Sequence, residues 1–350
     1  MHFASDNSGP VHPKVMDALA RANEGYAMAY GADKLMDRVR DQVRELFEAP
    51  DAAVYLTATG TAANSLILAT LGQPWQTVFC SKYAHIHEDE CNAPEFYTGG
   101  AKLTLLPGED AKFSPDALRT AIEGEETRGV HGPQRGPVSI TQVTERGTLY
   151  SLAEIKALTA IAKSYDLPVH MDGARFANAV VALGCSPAEM SWRAGIDALS
   201  FGGTKNGLMG VEAVIFFDPR HAWEFELRRK RGAHLFSKHR YLSAQFSAYL
   251  EDGLWLDMAK DANRAGGQLA RGLKQTDSFS FLHEPEANML FPRFARQIHQ
   301  RLHDQGACYH MWSGSLTGDD PEELLAARLV CDWSMTDDTV ESFLSAVRAA

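Results

Sequence analysis

The stretch Pro168-Val-His-Met-Asp-Gly-Ala-Arg175 is followed by a second one, Leu199-Ser-Phe-Gly-Gly-Thr-Lys-Asn-Gly207. In each, an apolar run ends at glycine with a charged residue within two positions, which is typical of a buried β-strand entering a tight turn. The distance in sequence from Asp172 to Lys205 is about that of one helix and strand, the unit that connects two parallel strands. Open α/β sheets bind ligands at the carboxyl ends of their strands, so this spacing predicts a ligand site in an α/β fold.

Two functional interpretations compete with two structural ones here. A partly desolvated lysine at position 205 can form a Schiff base with an aldehyde cofactor, but this segment alone favours a surface lysine in a glycine-rich turn. Asp172 can keep a pyridine nitrogen protonated, or it can serve as a helix N-cap. Arg175 is a candidate ion-pair partner of Asp172 or a cofactor contact.

Further out, short β-branched runs alternate with helical stretches, which predicts an α/β fold with a large, mostly parallel sheet. The predicted strands are Ala53–Thr57, Thr77–Cys80, Lys102–Leu106, Val138–Val143, Pro168–Asp172, Ala198–Phe201 and Glu212–Phe217. Ser114-Pro115 and the capping-box spacing of Ser151 and Glu154 mark two helix starts.

The pattern changes after Phe217. Residues 219–275 predict long amphipathic helices, and a smaller C-terminal α/β domain follows them. Its predicted elements are strands Asn288–Phe291 and Arg328–Asp332 and helices Arg293–Gln305 and Asp337–Arg348. We therefore divide the chain into a large domain, residues 1–245, and a small domain, residues 246–350.

Composition excludes several classes of protein. The 350 residues include 34 Lys and Arg against 45 Asp and Glu, so the net charge of −11 disfavours nucleic-acid binding. Glycine, proline and asparagine interrupt the uncharged window 52–81, so we expect no membrane segment, and the N-terminus shows no signal-peptide pattern. Five scattered cysteines without a C-x-x-C pair favour reduced thiols in the cytoplasm.

Two further motifs precede the central pair. In Thr57-Ala-Thr-Gly-Thr-Ala-Ala-Asn64, a strand turns into a helix through small residues, which suits a phosphate loop or simple helix capping. In Lys82-Tyr-Ala-His-Ile-His-Glu-Asp-Glu90, the histidines could bind metal with Cys91, but a complete zinc pattern is absent. A flat imidazole stacked on a flat cofactor ring fits better.

Together these motifs resemble a known family. The order SDN, TGTAAN, YAHIHEDE, HMDGAR, SFGGTKNG and ARLVCDW is similar to that of the pyridoxal-phosphate (PLP)-dependent threonine aldolases. The nearest branch is the low-specificity L-threonine and phenylserine aldolases, which share the aspartate aminotransferase fold type I. The resemblance covers nearly the whole chain and implies cleavage of L-β-hydroxy-α-amino acids to glycine and an aldehyde. It also implies a homodimer or homotetramer.

The resemblance assigns roles position by position. Lys205 corresponds to the lysine that binds the PLP aldehyde, Asp172 to the ring-nitrogen partner, and His85 to the ring-stacking histidine. Gly60 and Thr61 correspond to the phosphate site. The other matches are Arg175 near the cofactor, Ser5 near the substrate carboxylate and Arg328 as the carboxylate clamp, while Lys238 and Arg240 match cationic positions near the phosphate.

One departure concerns the base for the substrate hydroxyl. Many members of the family carry a histidine in an N-T-H-N segment, where this chain has Gln142-Val-Thr-Glu-Arg-Gly147. The remaining candidates are His85, His131 and an ordered water, and His85 ranks first because it should lie beside the ring.

Rival functions remain at this point. An aminotransferase or a β-eliminating lyase would share the lysine, the aspartate and the phosphate loop. A metal-dependent hydrolase using His85, His87, Glu90 and Cys91 would leave Lys205 and TGTAAN unexplained.

Overall fold

The computed structural model describes residues 1–276 and 279–349. A seven-stranded sheet with the order β1-β7-β6-β5-β4-β2-β3 forms its centre. The strands are β1 Ala53–Thr57, β2 Gln76–Ser81, β3 Lys102–Leu106, β4 Gln134–Thr141, β5 Val169–Gly173, β6 Ala198–Gly202 and β7 Glu212–Phe216. Strands β3, β2, β4, β5 and β6 are parallel, whereas β7 runs antiparallel to both β6 and β1.

All seven strands of the large sheet overlap the predicted ones. Strands β1, β5, β6 and β7 are buried along their whole length, as expected for apolar runs covered by helices on both faces. The prediction for β4 was wrong at both ends, since the strand begins at Gln134 and ends at Thr141. Polar Gln134 and Arg135 pair with β2 and so extend the strand beyond its apolar stretch.

The second sheet is antiparallel and has five strands. They are β8 Ser280–Phe281, β9 Met289–Leu290, β10 Pro292–Ala295, β11 His310–Ser313 and β12 Leu324–Val330. Strand order is β11-β12-β10-β8, with β9 paired to β12. The predicted strand at 328–332 therefore starts earlier, and Arg293–Ala295, predicted to be helical, belong to a strand because they pair with β12.

Helices cover both sheets. They are α1 Pro13–Ala22, α2 Lys34–Leu46, α3 Gly60–Leu71, α4 His85–Glu88, α5 Ala93–Thr98, α6 Pro115–Gly124, α7 Leu152–Ser164, α8 Phe176–Leu183, α9 Pro187–Met190, α10 Ala222–Arg231, α11 Arg240–Leu250, α12 Leu254–Leu273, α13 Arg296–Asp304 and α14 Asp337–Arg348. Ser114 caps α6 and the Ser151–Glu154 capping box starts α7, as predicted. Within the described ranges, no helix has the length and apolar character that a bilayer crossing requires.

Two main hydrophobic cores correspond to the two sheets. The larger lies around the seven-stranded sheet and extends to Met258 and Ala259 in α12. The smaller core includes Ala265 and Leu269 in the same helix and the buried face of α14. The domain division at residue 245 stays a prediction; Gln245 itself is buried inside α11.

Candidate active site

A cavity of about 260 Å³ opens at the carboxyl edge of the large sheet. Six residues predicted from the sequence line it: Gly60, Thr61, His85, Asp172, Arg175 and Lys205. The lining also includes Asn64 and three carboxylates, Glu90, Glu145 and Glu212. The structure therefore brings Asp172 and Lys205 together in one cavity, as the spacing of their motifs predicts.

Lys205 lies in a short 3-10 turn, Thr204–Asn206, that directly follows β6. The turn passes so close to its neighbours that a Cβ on Gly202 would lie 2.3 Å from the Ala174 carbonyl oxygen. Glycine is thus required there for the backbone approach that presents the lysine. In the part of the chain that the structure describes, the Lys205 amine has neither a hydrogen-bond nor an ion-pair partner.

The surroundings of Lys205 favour its neutral form. Burial lowers the pKa of the amine, and the nearby Arg175 guanidinium lowers it further, against the opposing effect of Asp6 and Asp172. A neutral amine is the form that attacks an aldehyde. Lys205 is only partly exposed and lines the cavity, so the interpretation as an ordinary surface lysine is wrong.

Asp172 lies in β5 with its carboxylate held at two points. Oδ1 accepts a hydrogen bond from the Ala174 backbone N–H at 3.0 Å, and Oδ2 accepts one from Asn64 Nδ2 at 2.9 Å. It is not a helix N-cap, because α8 begins at Phe176 and Arg175 occupies the cap position. The structural alternative for Asp172 is thereby excluded.

A hydrogen-bonded chain connects Asp172 to His85. The Asn64 amide donates both to Asp172 and to Glu90 Oε1, at 2.9 Å each, and Glu90 Oε1 lies 2.9 Å from His85 Nδ1. Ser200 donates to Asn64 Oδ1 at 2.7 Å and so orients the amide. The hydrogen bond with Glu90 raises the pKa of His85, and burial raises the pKa of Glu90. His85 is therefore held in one orientation at the cavity wall.

The amino terminus of α3 forms another wall of the cavity. Thr59 caps the helix by accepting from the Ala62 N–H at 3.2 Å, and the helix begins at Gly60. A Cβ on Gly60 would meet no described atom within 4 Å, so the space above this helix end is open. The first N–H groups of a helix have no acceptor within it and attract anions. This wall suits a phosphate.

Arg175 pairs with Asp6 and not with Asp172, so the predicted ion pair is wrong. Its Nε and Nη2 donate to the two Asp6 oxygens at 2.6 and 2.9 Å, and both side chains are largely buried. Asn288 also donates to Asp6, at 3.2 Å. Burial raises the pKa of Asp6, but Arg175 and these hydrogen bonds outweigh burial, and the net pKa is lowered.

Ser5 and Arg328 lie outside the cavity lining. Ser5 Oγ accepts from the Asn7 N–H at 3.1 Å within a turn. Arg328 Nη2 donates to the Ala4 carbonyl oxygen at 3.2 Å, while its Nε is buried with no partner among residues 1–276 and 279–349. The assignment of both to the substrate carboxylate stays a prediction.

The remaining sequence candidates lie elsewhere. His131 is exposed in the turn Gly129–His131, and Arg240 donates to the Gly25 carbonyl oxygen at 2.9 Å. His87 and Cys91 are also exposed. Over the described ranges, no group of three or more His, Cys, Asp and Glu residues has an arrangement suited to a metal ion.

Two buried carboxylates escaped the sequence interpretation. Glu212 Oε2 accepts from the Gly203 N–H at 2.7 Å and so braces the lysine turn, and burial raises its pKa. Glu145 follows β4, and burial raises its pKa to about 7. The one feature of the sequence that could have identified Glu212 is that an acidic residue begins the otherwise apolar strand β7. Glu145 lies in the segment where the family histidine is absent.

The cavity suits PLP in three respects. Lys205 offers an unpartnered amine, Asp172 offers a fixed carboxylate, and Gly60 leaves the helix end open. An aldehyde, a pyridine nitrogen and a phosphate are the groups that these three features would receive.

The whole chain is similar to proteins of a known family. The model of the beta-eliminating lyase family matches residues 2–296. A low-specificity L-threonine aldolase of a Pseudomonas species is 39% identical over 348 residues, covering 99% of this chain and 97% of the relative. The enzyme of the same name from Pseudomonas aeruginosa is 40% identical over 347 residues, covering 99% and 96%.

Solved structures show the same architecture. Leishmania major threonine aldolase superposes with a TM-score of 0.92 at 25% identity, covering 99% of this chain and 98% of the other. Serine palmitoyltransferase from Sphingomonas wittichii superposes with a TM-score of 0.72 at 14% identity, covering 100% and 86%. These matches confirm the predicted fold class.

Proposed function

Because this chain belongs to the beta-eliminating lyase family, we propose that it is a PLP-dependent C–C lyase of the threonine aldolase type. It cleaves L-threonine and other L-β-hydroxy-α-amino acids, phenylserine among them, to glycine and an aldehyde, and the reaction is reversible. The observation that carries the proposal is the shared cavity of Lys205 and Asp172. Near-full-length identity to two L-threonine aldolases supports the substrate class.

Different cavity residues would bind different groups of the cofactor. Lys205 would bind its aldehyde, Asp172 would hold the ring nitrogen protonated, and His85 would stack on the ring. Gly60 and Thr61 would bind the phosphate through the start of α3. When bound, the cofactor supplies an electron sink for the bond broken at Cα.

Two residues from opposite ends of the chain would orient the substrate. Arg328 in β12, whose buried Nε has no described partner, would receive the substrate carboxylate together with Ser5 of the N-terminal segment. Arg175 stays paired with Asp6 and holds this segment against the cavity. Fixing the substrate carboxylate would determine which bond at Cα is presented for cleavage.

The decisive experiment is a product assay on the purified protein with PLP. Incubation with L-threonine is expected to release acetaldehyde and glycine in equal amounts. Release of ammonia with a keto acid would instead indicate β-elimination, and keto-acid formation only with an amino acceptor would indicate an aminotransferase. Either of those results, without acetaldehyde, would overturn the proposal.

We also place the enzyme in the cytoplasm as a homo-oligomer, a dimer or a homotetramer. Large apolar side chains of Tyr26, Met28, Tyr30 and Phe236 are exposed, with Tyr26 fully so. The Tyr30 N–H donates to the Ser237 carbonyl oxygen at 3.1 Å, which joins the two segments into one surface. Exposed apolar patches of this kind mark association surfaces. The five unpaired cysteines suit a reducing compartment.

A further inference from the structure

Glu145 is a buried carboxylate with one oxygen fixed and the other unused. Its Oε1 accepts from the His85 backbone N–H at 2.8 Å and from Thr141 Oγ1 at 2.8 Å. Its Oε2 is buried and has no hydrogen-bond partner among the described residues. The residue lines the cavity together with Asp172 and Lys205.

A purely structural role does not explain this arrangement. Bracing the loop requires only Oε1, which a glutamine oxygen would supply equally well. In the described ranges no cation pairs with Glu145; the adjacent Arg146 instead stacks on the Tyr83 ring at 4.2 Å. A buried acid without a counter-ion is unfavourable unless a ligand or a reaction uses it.

We propose that Glu145 Oε2 is the base that accepts the proton of the substrate's β-hydroxyl group. The inference rests on the proposed aldolase function and adds the residue that performs the proton transfer. The O–H proton moves to Glu145, and the O–H electron pair becomes the second bond of the aldehyde C=O. The Cα–Cβ bond breaks, its electron pair leaves on the Cα side, and a proton added at Cα completes glycine. No oxidant or reductant is consumed.

The charge environment suits this role. Burial raises the pKa of Glu145 to about 7, and the neighbouring Asp172 carboxylate acts in the same direction. The other titratable groups near it are Cys80 and Tyr150, whose pKa values burial also raises, and His85. A base whose pKa lies near the working pH is the most effective in general-base catalysis.

The histidine candidates are less suited. His85 Nδ1 is occupied by Glu90, and this hydrogen bond raises the pKa of the ring and so favours the protonated form, which cannot accept a proton. His131 is exposed and does not line the cavity. Glu145, by contrast, lines the cavity and lies in the segment where this chain lacks the family histidine.

The first test compares Glu145→Gln with Glu95→Gln. Glu95 also has a partly buried side chain with an unpartnered Oε2, but it lies outside the cavity. We expect E145Q to lower kcat for L-threonine cleavage by about 10²- to 10⁴-fold, the usual contribution of a general base. Visible absorbance of bound PLP and exchange of the glycine α-hydrogen in D2O should stay at the unaltered level, because glycine has no β-hydroxyl. E95Q should leave all three unchanged.

Two results of this comparison overturn the proposal. One is an E145Q cleavage rate close to that of the unaltered protein. The other is an equal loss of threonine cleavage and of glycine α-hydrogen exchange while PLP stays bound. That result would indicate that Glu145 acts in proton transfer at Cα and not at the β-hydroxyl group. If the unaltered protein releases no aldehyde from L-threonine, the aldolase function fails first, and the role of Glu145 fails with it.

A second measurement does not depend on the activity of any variant. Infrared difference spectra of the unaltered holoenzyme should show a carboxylic acid band that titrates with a midpoint near pH 7, matching the acid limb of kcat. Glu145→Asp, which keeps the carboxylate, should retain the band and part of the activity even if E145Q binds PLP poorly. A spectrum without any carboxyl group titrating between pH 6 and 8 would overturn the proposal.

Discussion

Lys205 shows how the chemistry of one residue depends on its neighbours. Burial and Arg175 lower the pKa of its amine, whereas the carboxylates of Asp6 and Asp172 oppose that shift. The amine remains unpaired at the cavity wall in the described structure, so an incoming aldehyde does not have to displace an ion-pair partner. A lysine in an ordinary surface turn has neither property.

Replacement of Lys205 tests the cofactor assignment directly. Lys205→Ala should abolish turnover of L-threonine and the visible absorbance of covalently bound PLP, because no other amine lines the cavity as described. Absorbance spectroscopy and an acetaldehyde assay measure the two effects. Lys260→Ala, in which an exposed lysine is removed, should behave as the unaltered protein. Retention of both signals in Lys205→Ala would refute the assignment.

Arg328 tests the carboxylate clamp. Arg328→Ala should raise the KM for L-threonine by about 10- to 100-fold, the loss expected for a charge-assisted hydrogen bond of about 1.5–3 kcal/mol. Steady-state kinetics gives this value, and Arg348→Ala at the exposed end of α14 is the control. An unchanged KM would remove Arg328 from the substrate site.

At the scale of elements, the register of the large sheet assembles the site. Thr141 at the end of β4 pairs with Asp172 in β5, and Asp172 pairs with Ser200 in β6. Since parallel strands end at the same edge, side chains far apart in sequence meet there. The loop after β4 then carries Glu145, and the turn after β6 carries Lys205.

The Asp6–Arg175 ion pair attaches the N-terminal segment to the start of α8, and its loss should destabilise the fold. Asp6→Asn should lower the free energy of unfolding by about 3–5 kcal/mol near neutral pH, because it leaves a buried arginine without its counter-charge. Thermal unfolding monitored by circular dichroism measures the difference. Asp37→Asn, at an exposed ion pair with Arg40, is the control and should change stability by less than about 1 kcal/mol.

The pH dependence of that difference has a definite sign. The pKa of Asp6 is lowered in the folded protein, so its stabilising effect is fully present above the unfolded value of about 3.9. It is lost as pH falls through the folded pKa. The gap in stability between the unaltered protein and Asp6→Asn should therefore be constant from pH 7 to 5 and shrink below about 4. A gap that widens in acid would contradict the ion pair.

At the scale of the whole molecule, the exposed apolar surface formed by Tyr26, Met28, Tyr30 and Phe236 predicts self-association. The double substitution Tyr26→Asp with Met28→Asp should convert the oligomer to a smaller species, because charges on this surface would have to be buried. Sedimentation velocity measures the mass. Val130→Asp, at an exposed position in another loop, should leave the mass unchanged. A monomeric unaltered protein would exclude the homo-oligomer.

Much of the fold could be predicted because strands and helix starts are local patterns. β1 and β3 have the predicted bounds, since apolar β-branched runs flanked by glycine and polar residues mark them clearly. β4 and β10 were misplaced because their ends are polar or short and depend on pairing with distant strands. Residue spacing likewise identified Lys205 and Asp172 but could not identify the partner of Arg175, which lies in the N-terminal segment.

The sequence by itself determined the order of strands and helices, the glycines that present Lys205, and the residue types able to bind an aldehyde, a pyridine nitrogen and a phosphate. These follow from periodicity and short motifs, which need no knowledge of distant contacts. Only the tertiary structure decided that Asp6 neutralises Arg175, that Asn64 and Glu90 connect Asp172 to His85, and that Glu145 has a free buried oxygen. Burial and charge balance depend on segments far apart in the chain, so they become defined only when those segments pack together.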